Sequence, residues 1–162
     1  MNALIGRCVL KTICMGAVVS LIAAEAAGAA GAHRLYSGRT SQRNGVVMTL
    51  RGRRIAYHAS FTQRCYHGHR FVAHTTGGFD VEGRFDLQRG GRSQFSLRLV
   101  QQRTKVPGAA QYFTAVYMVR GRLGSQRANG TMSAVSKYYS LRGSMLATCA
   151  TSTLSWSAPR TS

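Results

Sequence analysis

Cys65, His67 and His69 stand at two-residue steps in the stretch "RCYHGHRF", residues 64–71. On an extended strand alternate side chains leave one face, so these three could converge on a metal ion. A zinc site needs at least three such donors in fixed geometry, with cysteine as its thiolate. His74 could join from a following strand, whereas His58 falls on the opposite face of the preceding one. Two features point elsewhere. Gly68 stands where a hairpin would turn, which makes His67 and His69 turn residues. Cys65 also has a natural partner in Cys149, once Cys8 and Cys14 are assigned to an N-terminal leader. The expectation is a Cys65–Cys149 disulfide, stabilising by roughly 4 kcal/mol through closure of the long intervening loop. Cys65, His67 and His69 remain as the rival metal set.

Other chemistry finds little support. Beyond the leader the carboxylates are Asp80, Glu82 and Asp86, at successive outward positions of one predicted strand. Such positions are solvated, and neighbouring arginines such as Arg84 and Arg98 are the expected ion-pair partners. Serine, histidine and aspartate are all present, but no G-x-S-x-G or related signature brings them together. Gly77-Gly78 and Gly90-Gly91 read as hairpin turns rather than phosphate loops ahead of helices. No cofactor is implied, and the expectation is a non-enzymatic protein.

What the composition does supply is positive charge. The chain has 22 Lys and Arg against 4 Asp and Glu, a net charge of +18. The basic residues cluster at turns and strand ends: Arg51, Arg53 and Arg54 in "RGRR", and Arg89 and Arg92 in "RGGR". Arg103 and Lys105 follow in "QQRTK", then Arg120 and Arg122 in "RGR". These nine residues are the candidate polyanion-binding set. Such a surface attracts phosphate polymers, anionic lipid headgroups or acidic glycans, and non-specific nucleic-acid binding falls within its range. Most Phe and Tyr occupy apolar strand positions, so Tyr138 and Tyr139, beside Lys137, are the aromatics expected on the surface.

Residues 1–32 read as a signal peptide. Arg7 and Lys11 precede the apolar run "TICMGAVVSLIAA", and Ala27-Gly28-Ala29 and Ala30-Gly31-Ala32 offer small-residue cleavage sites. A membrane-spanning helix needs about 20 apolar residues; this run is shorter and is followed at once by Glu25. Cleavage after Ala32 leaves residues 33–162 as a single domain without a helical span. Removing Arg7, Lys11 and Glu25 leaves 20 basic and 3 acidic side chains, a net +17. An exported domain with one possible cysteine pair suits an oxidising compartment, extracellular or at the cell envelope.

The elements that must position these groups are strands. In "IAYHASFTQRC", Ile55, Tyr57, Ala59, Phe61 and Cys65 share one face, and Arg54, His58, Ser60, Thr62 and Arg64 the other. "FDVEGRFDL" and "QFSLRLV" alternate likewise, while "QYFTAVYMVRGRL" is apolar on both faces and reads as a central strand. Turn chemistry at "RNG", "RGRR", "HGH", "TTGG", "RGGR", "VPG" and "ANG" recurs about every 8 to 18 residues. The predicted fold is all-β, an antiparallel meander of roughly eight strands closing into a barrel or sandwich. Residues 148–156 supply one late strand. A barrel of this size could also carry a small ligand, with Ala59, Ala115 and Gly121 leaving the room; that is the alternative function.

The opening "YSGRTSQ" (36–42), Cys65 after a long strand, the late Cys149 and the closing "LSWSAPR" together resemble a recurring domain of exported bacterial proteins. That domain has no assigned activity. The resemblance spans most of residues 36–160. It implies neighbouring first and last strands and two cysteines within reach of each other, and brings no catalytic residues.

Overall fold

Alternation on this scale leaves a chain one way to bury its apolar side chains, by pairing strands into a curved sheet whose inner face is shared. The computed structural model describes residues 33–85 and 93–161, and these contain strands and no helix. Nine strands follow in order: β1 (His33–Thr40), β2 (Gly45–Arg51), β3 (Arg54–His67), β4 (Arg70–Arg84), β5 (Ser93–Lys105), β6 (Gln111–Leu123), β7 (Arg127–Ser140), β8 (Met145–Ala150) and β9 (Leu154–Pro159). All pair antiparallel in one sheet of order β4-β3-β2-β1-β9-β7-β6-β5, with β8 between β3 and β7. Residues 1–32, read from the sequence as a leader, lie outside the described residues together with Cys8 and Cys14, as do Asp86, Arg89, Gly90, Gly91 and Arg92.

The sheet is forked. Along one edge β3 pairs with β4 over nearly its whole length. Its other edge is divided: Arg54 to Ala59 pair with β2, and Arg64 to Tyr66 pair with β8. β7 repeats the pattern, with β6 on one edge and β9 then β8 on the other. The hydrogen-bonded path β3-β2-β1-β9-β7-β8 therefore returns to β3 and forms a ring.

Backbone groups at the fork would lack partners, and side chains replace the missing strand. Gln42 donates from Nε2 to the Thr62 carbonyl at 2.9 Å and accepts at Oε1 from the Thr62 N–H at 2.8 Å. Ala134 donates its N–H to Thr151 Oγ1, and its carbonyl accepts from the Thr151 N–H. Gln63, buried on the inner face, donates to the Ala134 and Cys149 carbonyls and accepts from Ser136 Oγ.

The inner face is filled by rings and branched chains. Tyr36, Tyr57, Phe61, Met48, Ile55, Met132 and Val119 are fully buried. The Phe79 and Tyr117 rings stack at 4.6 Å between centroids, and Tyr57 packs on Trp156 at 5.4 Å. Tyr57 points its hydroxyl at Met132 Sδ; loss of water around the phenol pushes its pKa well above the usual value of 10.0.

Three expectations need correction. Residues 148–156 are not one strand: β8 ends at Ala150, Thr151 to Thr153 cross the fork, and β9 begins at Leu154. The sheet thus has nine strands, in line with the roughly eight expected. Gly77-Gly78 is not a turn but the middle of β4, opposite Phe61 and Ser60. Asn129-Gly130 likewise lies inside β7, opposite Arg122 and Gly121, and the chain reverses instead at Ser125-Gln126. The turns at Gly52 and Gly68 are where the sequence places them, each with φ of 57°.

Candidate polyanion interface

The "RGRR" hairpin sets the geometry of the site. With Gly52 and Arg53 at its turn, Arg51 is held directly opposite Arg54. β4 continues the register by placing Arg84 opposite Arg54, and β1 places His33 opposite Arg51. Alternation sends all four side chains outward, since Leu50, Ile55 and Phe85 point into the core. His33, Arg51, Arg54 and Arg84 thus form one straight row across four strands, spaced by the interstrand distance of about 4.8 Å. Like charges directly opposite one another destabilise a sheet, so this row works against the fold unless an anion lies along it.

Arg84 and Phe85 extend the row. They form one wall of an open groove of about 710 Å³ whose other side carries Arg120 and Arg122 of β6, with Asn129 and Thr131 beyond. The floor is Gly121 and Gly130. A Cβ at either would run into the Trp156 ring, and at Gly130 also into the Arg120 carbonyl oxygen. The same Arg84 and Phe85 border a second depression with Arg51, Arg53 and Arg54. A third, with Arg51 and Arg54, has Glu82 as the one acid among its lining residues. Arg51, Arg53, Arg54, Arg84, Arg120 and Arg122 therefore make one continuous basic band.

Of the candidate set, Arg103 and Lys105 do not belong to this band. They lie at the far end of β5, where Lys105 pairs with Tyr112, roughly 35 Å along the strand from Gln94 in the groove. Arg103 sits over the Tyr112 ring at 5.1 Å from its centroid. Arg84 of the band and His33 of the row are absent from the candidate set. The alternation of "FDVEGRFDL" already sends Arg84 outward, but strand register, which decides its neighbours, is not visible along the chain.

The histidine and carboxylate readings also change. Cys65 and Cys149 are opposite each other on β3 and β8 and joined by a disulfide. Cys65 is therefore no thiolate, and the set Cys65, His67, His69 loses its sulfur donor. His67 instead donates from Nδ1 to the Leu146 carbonyl at 2.8 Å. Asp80 pairs with His58 at 2.8 Å rather than with Arg84 or Arg98. Ser37 shares the His58–Asp80 row, but Val47 stands between it and His58. Two strand spacings, about 10 Å, separate the hydroxyl position from the imidazole, several times a hydrogen bond.

Tyr138 and Tyr139 are half-buried, stacked on Phe113 and Tyr112. Burial raises the pKa of Tyr117 and Tyr138, and the neighbouring polar side chains of Ser136 and Thr75 partly offset it. Ala59 and Ala115 are buried by close packing, and the space beside Gly121 is taken by the Phe95 and Trp156 rings.

Among the described residues no helix is long and apolar enough to cross a membrane. No family model, no curated protein and no solved structure matches the chain.

Proposed function

We propose that this is an exported, non-enzymatic β domain that holds anionic polymer or an anionic envelope surface against its arginine band. The observation that carries the reading is the register row His33, Arg51, Arg54 and Arg84, continued by Arg120 and Arg122 across the groove. Phosphates or sulfates repeating along a polymer can each meet a guanidinium, which offers paired donors to such groups. The resemblance to exported bacterial domains, the leader-like residues 1–32 and the Cys65–Cys149 disulfide agree with an oxidising location. A carrier function is less well supported, because the inner positions that would leave room are filled by neighbouring side chains.

The test is the salt dependence of binding to duplex DNA, used as a polyanion of known charge spacing. The logarithm of affinity is expected to fall linearly with the logarithm of salt concentration. Each phosphate contact removed should lower the slope by about 1. The triple substitution Arg54→Gln, Arg84→Gln, Arg120→Gln should therefore flatten it by about 2 to 3. The pair Arg103→Gln, Lys105→Gln, at the other end, should change it less. An unaltered slope in the triple variant would remove the band from the binding surface.

A further inference from the structure

The end of the molecule opposite the arginine row is built from two adjoining hairpins, β3–β4 turning at Gly68-His69 and β7–β8 turning at residues 141–144. They are fastened side by side. Tyr66 pairs with Thr148, His67 donates to the Leu146 carbonyl, and the Cys65–Cys149 disulfide crosses between them. Both hairpin ends hold large apolar side chains out of the core. Phe71 is 48% exposed, Val72 55% and Leu141 63%, with Tyr66, Met145 and Leu146 exposed beside them. Phe71 packs edge-on against Tyr66 and beside His74, yet half of it and most of Leu141 stay outside any core, and a concentration of this kind marks a contact surface.

The surroundings identify the chemistry of what is contacted. Arg64, Arg70, Lys137 and Arg142 are exposed around the two ends. Arg103 and Lys105 join them through the Tyr112–Tyr139 stack, Tyr139 being opposite Met145. Asp80 and Glu82, the carboxylates among the described residues, lie on the other half of the β3–β4 ladder, opposite His58 and Ala56. Among the described residues this end is thus cationic without acids, apolar at its hairpin ends, and flanked by Tyr66, Tyr112 and Tyr139, whose amphipathic rings suit a headgroup layer. Leu141 stands on the β7–β8 turn, and Phe71, Val72, Met145 and Leu146 are among the first residues of the strands leaving the two turns, so the apolar side chains gather at hairpin ends, where a fluid headgroup layer can take them up.

We propose that the two hairpin ends form a bilayer-docking tip, with Phe71, Val72, Leu141 and Leu146 dipping below the headgroups of an anionic membrane and the neighbouring cations meeting lipid phosphate. The tip uses the end of the sheet that the polymer-binding band does not, so the two readings stand or fall separately.

Phe71→Trp supplies the probe, because the chain's one tryptophan, Trp156, is buried in the core. With vesicles of phosphatidylcholine mixed with phosphatidylglycerol, its added emission should shift to the blue and resist a soluble quencher. With phosphatidylcholine alone the shift should be much smaller. The pair Phe71→Ser, Leu146→Ser, both at exposed positions and checked for folding by near-UV circular dichroism, should weaken partitioning to the mixed vesicles about tenfold or more. The triple arginine variant above should keep the blue shift while losing polymer affinity. No shift on mixed vesicles overturns the proposal, as does an equal shift on neutral ones. A shift that needs no vesicles and grows with protein concentration assigns the tip to a second copy of the chain instead.

Discussion

At the scale of single residues, the disulfide and one buried phenol carry most of what can be measured. Cys65 and Cys149 close a loop with a sequence separation of 84. Replacing both by alanine should lower stability by about 4 kcal/mol in urea unfolding; a loss well under 1 kcal/mol would mean the unfolded chain is already restrained. Tyr57 makes a different prediction. Burial raises its folded-state pKa above the unfolded value of 10.0, so the folded state keeps a proton that the unfolded state releases. The stabilisation is complete below the unfolded pKa and is lost as pH rises from there toward the folded one. Unfolding free energy should fall above about pH 10, and Tyr57→Phe should blunt that fall. An identical alkaline profile in the variant would place the loss elsewhere.

At the scale of elements, the long strands decide what was legible in the sequence. Strict alternation from Ile55 to Cys65 places every inner residue correctly, and its parity also assigns Gln63 to the inner face. Gln63 is easily overlooked because a polar side chain looks like an outward one until the fork supplies its partners. Glycine misled for a related reason. Gly77 and Gly130 serve close packing rather than chain reversal, and a glycine chosen for space looks the same in sequence as one chosen for a turn. Gly130→Ala should therefore cost about 2 to 3 kcal/mol in chemical denaturation, because its Cβ would meet the Arg120 carbonyl and the Trp156 ring. A tolerated alanine would show that β6 and β7 can separate there. The β8–β9 division at Thr151 to Thr153 carries no Gly or Pro, so no local signal announces it. Nor is the arginine row legible beyond its Arg51–Arg54 hairpin, since Arg84 and His33 arrive through the register of other strands.

At the scale of the whole molecule, the arginine row and the apolar hairpin turn lie at opposite ends of the β3–β4 ladder. The arginine row should behave as an unrelieved repulsion in the free protein. Arg54 faces Arg51 on one side and Arg84 on the other. Arg54→Gln is therefore expected to raise the melting temperature at low salt while weakening polyanion binding, and added salt should narrow the difference. A lowered melting temperature would show that Arg54 is held by favourable contacts.

The placement of β9 has a consequence for how the chain is made. This last strand lies between β1, the first, and β7, and hydrogen-bonds to both. A polypeptide emerging from a ribosome in order can zip its hairpins early, yet the facing edges of β1 and β7 stay unpaired until Leu154–Pro159 appears. Completion waits on the slowest kind of contact, one joining residues separated by more than a hundred others. Until then the ring of paired strands stays unclosed.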